Sequence, residues 1–207
     1  MSTLPCCPES EDTVIARTRN WLETAVIGLT LCPFAKAVHV REQIGFQVST
    51  ACSTTELARE LREALRALAA ADPAKLDTIL LIHPRVLGDF HDYNAFLAQA
   101  DRIIRKLRLE GELQVASFHP DYQFADTEAD DVDNATNRSP YPMLHLLRES
   151  SIARAVASYP DPERIYARNI DSLRKLGWTG WQTLAQSWGP KPEDRPPPHE
   201  MSNRKRG

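Results

Sequence analysis

The 207-residue chain is 42% hydrophobic and 26% charged, the composition of one ordinary globular domain, which excludes a chain disordered throughout. Lys and Arg number 25 against 28 Asp and Glu, for a net charge of −3, which argues against a non-specific nucleic-acid binder because neutralising phosphates needs a concentrated basic face. No window approaches 18 uncharged apolar residues, and the opening MSTLPCCPESED has neither a basic n-region nor an apolar h-region, so a cytoplasmic chain without membrane span or signal peptide is expected.

Residues 1–9, with adjacent Cys6 and Cys7, read as a flexible tail, and residues 10–188 as a single domain. Cys6, Cys7, Cys32 and Cys52 make no C-x-x-C or zinc-ribbon spacing, so neither a disulfide framework nor a structural zinc is expected. Val14, Trp21, Leu22, Ala25, Val26 and Leu29 recur at helical spacing behind Ser10 or Asp12 as N-cap, and Pro33 should stop this helix at about Leu31. A strand follows near Ile44 to Ser49. Ser53-Thr54-Thr55-Glu56 is a capping box opening a helix to Ala71. Thr78 to Ile82 is an unbroken apolar run, the mark of a strand buried on both faces.

A helix from Asp89 to about Leu109, ended by Gly111, leads to a third strand at Leu113 to Phe118. Strand and helix alternation with crossovers this long predicts an α/β fold: a two- or three-layer core around a small, mainly parallel βαβαβ sheet, preceded by a helix and closed by C-terminal helices. Ser139-Pro140 and Asp161-Pro162 each read as helix starts, the second helix ending at Gly177. Trp178, Trp181 and Trp188 belong either to a C-terminal packing surface or to a contact with a protein partner or second copy. Residues 189–207 hold five of the 15 prolines and five basic against three acidic residues, so this end reads as a disordered basic tail on a body of net charge −5.

In a parallel sheet the strand carboxyl ends share one edge, where ligands bind in open α/β folds. Two of those ends are His-Pro steps, His83-Pro84 and His119-Pro120, which open together as candidate catalytic groups or simply cap their strands. The following loop, HPDYQFADTEADDVDNATNRSPYP, is too long for a casual connection and must be functional or disordered. Tyr122, Phe124 and Tyr141 can anchor it, while Asn134, Thr136, Asn137, Arg138 and Ser139 either grip an anion or stabilise the loop's own turns. Of its six acids (Asp121, Asp126, Glu128, Asp130, Asp131, Asp133), Asp121 stands two residues from His119 and could orient it. An EF-hand register from Asp126 puts Asp131 where Gly is required and Asn137 where Glu belongs, so calcium is excluded there. Cys32, just past a helix C-terminus, sits at the negative end of the dipole and is a nucleophile only if the fold brings His83 or His119 beside it. No G-x-G-x-x-G, G-x-x-x-x-G-K-[ST] or G-x-S-x-G is present, which removes the usual Rossmann, P-loop and α/β-hydrolase readings.

The stretches WLETAVIGLTLCPFAKAV, LLIHPRVLGDFHDYNAFL, LQVASFHPDYQFA and NATNRSPYPMLHLLRE resemble an uncharacterised bacterial family, domain of unknown function 1415, over about residues 14–177. The resemblance implies a cytoplasmic bacterial protein and brings no established reaction, cofactor or catalytic residue. The residues themselves suggest a small soluble hydrolase or transferase acting on a small anionic substrate at the carboxyl edge of the sheet. His119 would be general acid or base, Asp121 its orienting carboxylate, His83 a second polar group, and Asn134, Asn137, Arg138 and Tyr122 the substrate grip. The alternatives are a non-catalytic ligand-binding or interaction module using the same loop, and a metal-dependent enzyme with His83, His119 and Asp121 as ligands, joined in principle by His91. No organic cofactor is expected.

Overall fold

The computed structural model describes residues 9–189. The Cys6-Cys7 pair and the prolines and basic cluster of the C-terminal end lie outside the described residues. Helix α1 (Glu11–Trp21) starts where Ser10 Oγ accepts the N–H of Thr13 at 3.2 Å. It widens into a π-helical segment, Leu22–Ile27, and the turn after it carries Cys32-Pro33 into a short helix, α2 (Ala35–Val40). Strand β1 (Ile44–Val48) and helix α3 (Thr54–Ala70) follow. The capping box forms as expected: Ser53 Oγ accepts the Glu56 N–H, and the Glu56 carboxylate reaches back to the N–H of Cys52 at 2.8 Å.

Strand β2 (Thr78–Ile82) is buried at every residue. Helix α4 (Phe90–Leu107) is capped by Asp89 and ends on Arg108 in the left-handed region, three residues short of Gly111. Strand β3 (Leu113–Phe118) comes next, then a 3-10 turn at Val132–Asn137. Strand β4 (Met143–Arg148), helix α5 (Glu149–Ala157) and helix α6 (Ile165–Gln186) complete the chain. Among the described residues no helix is long and apolar enough to cross a membrane.

The four strands form one mixed sheet in the order β1-β2-β4-β3. Strands β1, β2 and β3 all run the same way, as expected, but β4 lies between β2 and β3 and is antiparallel to both. The helix expected after Ser139-Pro140 is therefore a central strand. Its apolar residues MLHLL satisfy either element locally, and the unpaired edges of β2 and β3 decide in favour of the strand by hydrogen-bonding its backbone on both sides. The final helix also departs from expectation: it passes through Gly177, which kinks it at φ 68°, and ends at Gln186.

Two cores flank the sheet, giving three layers. Ile79, Leu81, Leu144 and Leu146 pack against α3 and α4, where Leu57, Leu61, Leu65 and Leu68 are fully buried; each such leucine is worth about 1.5–3 kcal/mol. On the opposite face Leu80, Ile82 and Met143 meet α1, the π-helical segment and α6. Trp181 and Trp188 are buried in this second core, ring centroids 5.4 Å apart, with the Trp188 indole donating to Thr24 Oγ1. These two indoles serve the chain's own packing. Trp178 is half-buried beneath the Arg138 guanidinium, 4.9 Å from the ring centroid.

Candidate functional site

At the carboxyl edge, His83 and His119 follow β2 and β3 and flank the buried ring of Tyr93, with ring centroids 5.8 and 5.1 Å from it. The strands themselves are not neighbours, because β4 separates them. Tyr93 closes this end of the sheet by donating to the Met143 carbonyl at 2.8 Å and accepting the Phe118 N–H at 3.0 Å. Both imidazoles are fully buried. His119 Nδ1 accepts the main-chain N–H of Asp121 at 3.0 Å, so Nε2 carries the proton and donates it to the Leu87 carbonyl at 3.1 Å. With both nitrogens engaged, His119 has no lone pair for a substrate. Asp121 fixes the ring through its backbone while its side chain stays exposed.

His83 Nδ1 donates to the Val86 carbonyl at 2.9 Å, leaving Nε2 buried and without a partner. Burial pushes His83 down to about 4 and lowers His119 as well, the latter opposed by the Leu87 carbonyl and the Asp121 charge. Among the described residues no group of three His, Cys, Asp or Glu side chains is placed to hold a metal ion; His83, His119 and Asp121 do not converge, and His91 is exposed on the first turn of α4.

The long loop is ordered by its own polar residues. Asn134 is fully buried; its Oδ1 accepts from the Phe124 N–H at 2.9 Å and Thr127 Oγ1 at 2.8 Å, and its Nδ2 donates to the Glu128 carbonyl at 2.7 Å. Asn137 donates to the Ser117 carbonyl, and Arg138 donates from Nε to the Tyr122 carbonyl and from its terminal nitrogen to that of Ala129. Tyr122 is packed between Phe90 and Phe124. Asp133, one of the six acids, is buried and held in a two-pronged pair by Arg174 at 2.7 and 3.1 Å. Of the two roles open to Asn134, Asn137 and Arg138, the geometry uses them to stabilise the loop's turns.

A site the sequence did not single out lies on the second face of the sheet. Between the sheet, α2 and α5 is a cavity of about 910 Å³. Its floor is Ile44, Thr78, Leu80, Ala116, Phe118, His145 and Leu147, because alternate residues of each strand point to this side. Cys32, Phe34 and Val38 wall one flank, Ile152, Ala155 and Tyr159 the other. Neither α2 nor α5 contains a fully buried residue, and Val38, Ile152 and Ala155 are only half-covered where they line the cavity.

His145 is the polar centre of that floor. The Thr78 hydroxyl donates its one proton to the Leu146 carbonyl at 2.5 Å, so at 2.7 Å its oxygen accepts from His145 Nε2–H. Nδ1 is left as an unprotonated acceptor with no partner among the described residues. Burial pushes this imidazole down to about 4, keeping it neutral at physiological pH. Cys32 is a free, half-buried thiol. Burial raises its pKa, while the Phe34 and Ala35 N–H groups at the start of α2 act in the opposite sense. The thiol thus lies between two helix ends, a placement the sequence alone does not show, and it shares its cavity with His145 instead of His83 or His119. At the rim, Arg154 donates to Ser151 Oγ at 2.9 Å, which donates to Asp77 at 2.6 Å, and Arg41 is exposed. A histidine alone in an apolar run, Met143 to Leu147, was the available signal for this site.

A family model, described as that of a protein of unknown function (DUF1415), matches residues 13–183. No curated protein and no solved structure matches the chain.

Proposed function

Because the chain belongs to the DUF1415 family, whose description assigns no activity, we propose a function from the geometry: this protein binds a small molecule with a largely apolar body in the cavity between α2, α5 and the sheet. The observation that carries this reading is that two helices flank a cavity of about 910 Å³ without fully burying a single residue of their own. Pockets for small ligands are concave and mostly apolar, with a few placed polar groups, and this one is of that size. A ligand filling it buries the apolar sides of α2 and α5, and His145 Nδ1 accepts one hydrogen bond from a ligand O–H or N–H. The carboxyl edge is a weaker candidate, since His119 and the loop asparagines already spend their hydrogen bonds on the protein. We propose the bacterial cytoplasm as the setting, where free Cys32 and Cys52 stay reduced.

A hydrolase or transferase remains the second reading, favoured by the coexistence of a neutral imidazole acceptor and a thiol in one cavity. The two readings separate on turnover: retained small molecules that the protein converts, and that His145→Gln still binds without converting, establish the enzyme.

The cavity reading is tested with N-phenyl-1-naphthylamine, a neutral apolar fluorophore, titrated into the full chain and into Ala155→Trp, which fills the cavity from α5. At about 0.3 kcal/mol per non-hydrogen atom, a ligand of about 20 such atoms reaches a Kd of tens of micromolar, on the order of −6 kcal/mol. Saturable binding that Ala155→Trp removes while the circular dichroism is retained supports the reading. Absence of saturable binding, or binding that the tryptophan leaves untouched, refutes it.

A further inference from the structure

A second, polar chamber of about 360 Å³ adjoins the apolar cavity, and the two share Pro33 and Tyr159 as walls. Its far side is one face of α6: Arg168, Asp171, Ser172 and Lys175 stand three, four and seven residues apart, the spacing that aligns side chains along a helix. Neither Arg168 nor Lys175 has a carboxylate within 4.0 Å among the described residues. With Asp171 as the one acid lining this chamber, its charge is one net positive.

The dividing wall is built to yield. Tyr159 packs edge-on to Phe34 at 5.6 Å, and its hydroxyl accepts from the Arg168 guanidinium at 2.9 Å. It lies between α5, whose residues are at most half-buried, and Asp161, which holds a left-handed φ of 54° between two prolines. Few buried contacts hold such a segment, so its opening costs little.

We infer that the ligand is an amphipathic monoanion: its apolar body fills the cavity on the sheet, and its carboxylate passes between Pro33 and Tyr159 onto Arg168 and Lys175. This rests on the cavity reading above. A carboxylate matches the single net charge of the chamber, and it relieves Arg168 of its neutral partner, the tyrosine hydroxyl, in exchange for a charged one. Tyr159 is then the element that sets which head groups enter, and the neutral His145, which lines the apolar cavity but not the polar chamber, is spared the cost of facing a buried carboxylate.

The test displaces N-phenyl-1-naphthylamine with dodecanoate and with dodecanol at low ionic strength. Dodecanoate is expected to displace the probe at about tenfold lower concentration than dodecanol, the difference a charge-assisted hydrogen bond makes. Arg168→Gln and Lys175→Gln should each shrink that ratio toward unity without changing affinity for the neutral probe, which reports that cavity and fold are intact. Equal displacement by acid and alcohol overturns the inference while leaving the cavity reading in place. A preference kept by both variants and lost in Arg41→Gln overturns it too, since the head would then sit at the rim beside α2. If the neutral probe does not bind, the cavity reading falls and this inference falls with it.

Discussion

Replacing Asn134 by Ala separates a loop that binds ligand from a loop that binds itself. The side chain is fully buried and makes three hydrogen bonds, to the Phe124 N–H, Thr127 Oγ1 and the Glu128 carbonyl. Thr127 keeps a second acceptor, the Phe124 carbonyl at 2.8 Å, and the Glu128 carbonyl keeps the Asp131 N–H at 3.1 Å, so the substitution strands one backbone donor, the Phe124 N–H. That orphan costs about 1.5 kcal/mol and the lost bond to the Glu128 carbonyl about 1 kcal/mol, and the sum, about 2.5 kcal/mol, should lower Tm by roughly 5–10 °C at 2–4 °C per kcal/mol for a domain of this size. Thermal unfolding followed by tryptophan fluorescence reads the loss. Binding of N-phenyl-1-naphthylamine and dodecanoate to the folded variant at low temperature should equal that of the parent. A Tm within about 1 °C of the parent, together with lost dodecanoate binding, refutes the reasoning and returns the loop to the role of anion grip.

Two further outcomes follow from the histidines. His145 is held at about 4 against an ordinary 6.5, so the unfolded chain takes up this proton first as the pH falls; its contribution is whole above pH 6.5 and drains away toward pH 4, by about 3 kcal/mol at most. Urea midpoints at pH 7 and pH 5 should therefore differ more in the parent than in His145→Gln, which keeps the slope due to His83; equal differences in both proteins would show that His145 is not buried as described. His119→Ala should lower stability by about 2–3 kcal/mol by stranding the Leu87 carbonyl and the Asp121 N–H, and leave probe binding by the folded fraction unchanged. Lost binding or turnover with an unaltered Tm would instead restore His119 as a functional group.

Much of the fold was legible because it is written in local chemistry. Ser10, Ser53 and Asp89 cap the helices that follow them, since a short oxygen-bearing side chain reaches the orphan N–H groups whatever the rest of the chain does. The apolar run at Thr78 to Ile82 marked the central strand, and the co-directed strands β1, β2 and β3 did bring His83 and His119 to one edge, around Tyr93. The candidate site was much less legible. Directed donors such as Asn134 and Arg138 look alike in sequence whether they face a ligand or a carbonyl of their own loop, and the choice depends on which backbone groups the folded loop leaves unpaired.

Length, composition and charge set the expectation of one slightly acidic α/β domain, and periodicity with capping placed most of its helices and three of its strands. Those properties need only nearest neighbours along the chain. The tertiary structure decided the fourth strand, because Met143 to Leu147 becomes β rather than helix only when the free edges of β2 and β3 stand ready to hydrogen-bond it. That choice alternates His145 and Leu147 onto the open face, sets Thr78 beside the imidazole, and creates the floor of the cavity. A cavity is a relation between surfaces distant in the chain, here Cys32 to Val38, Thr78 to Leu80 and His145 to Tyr159, and no stretch of sequence carries it alone.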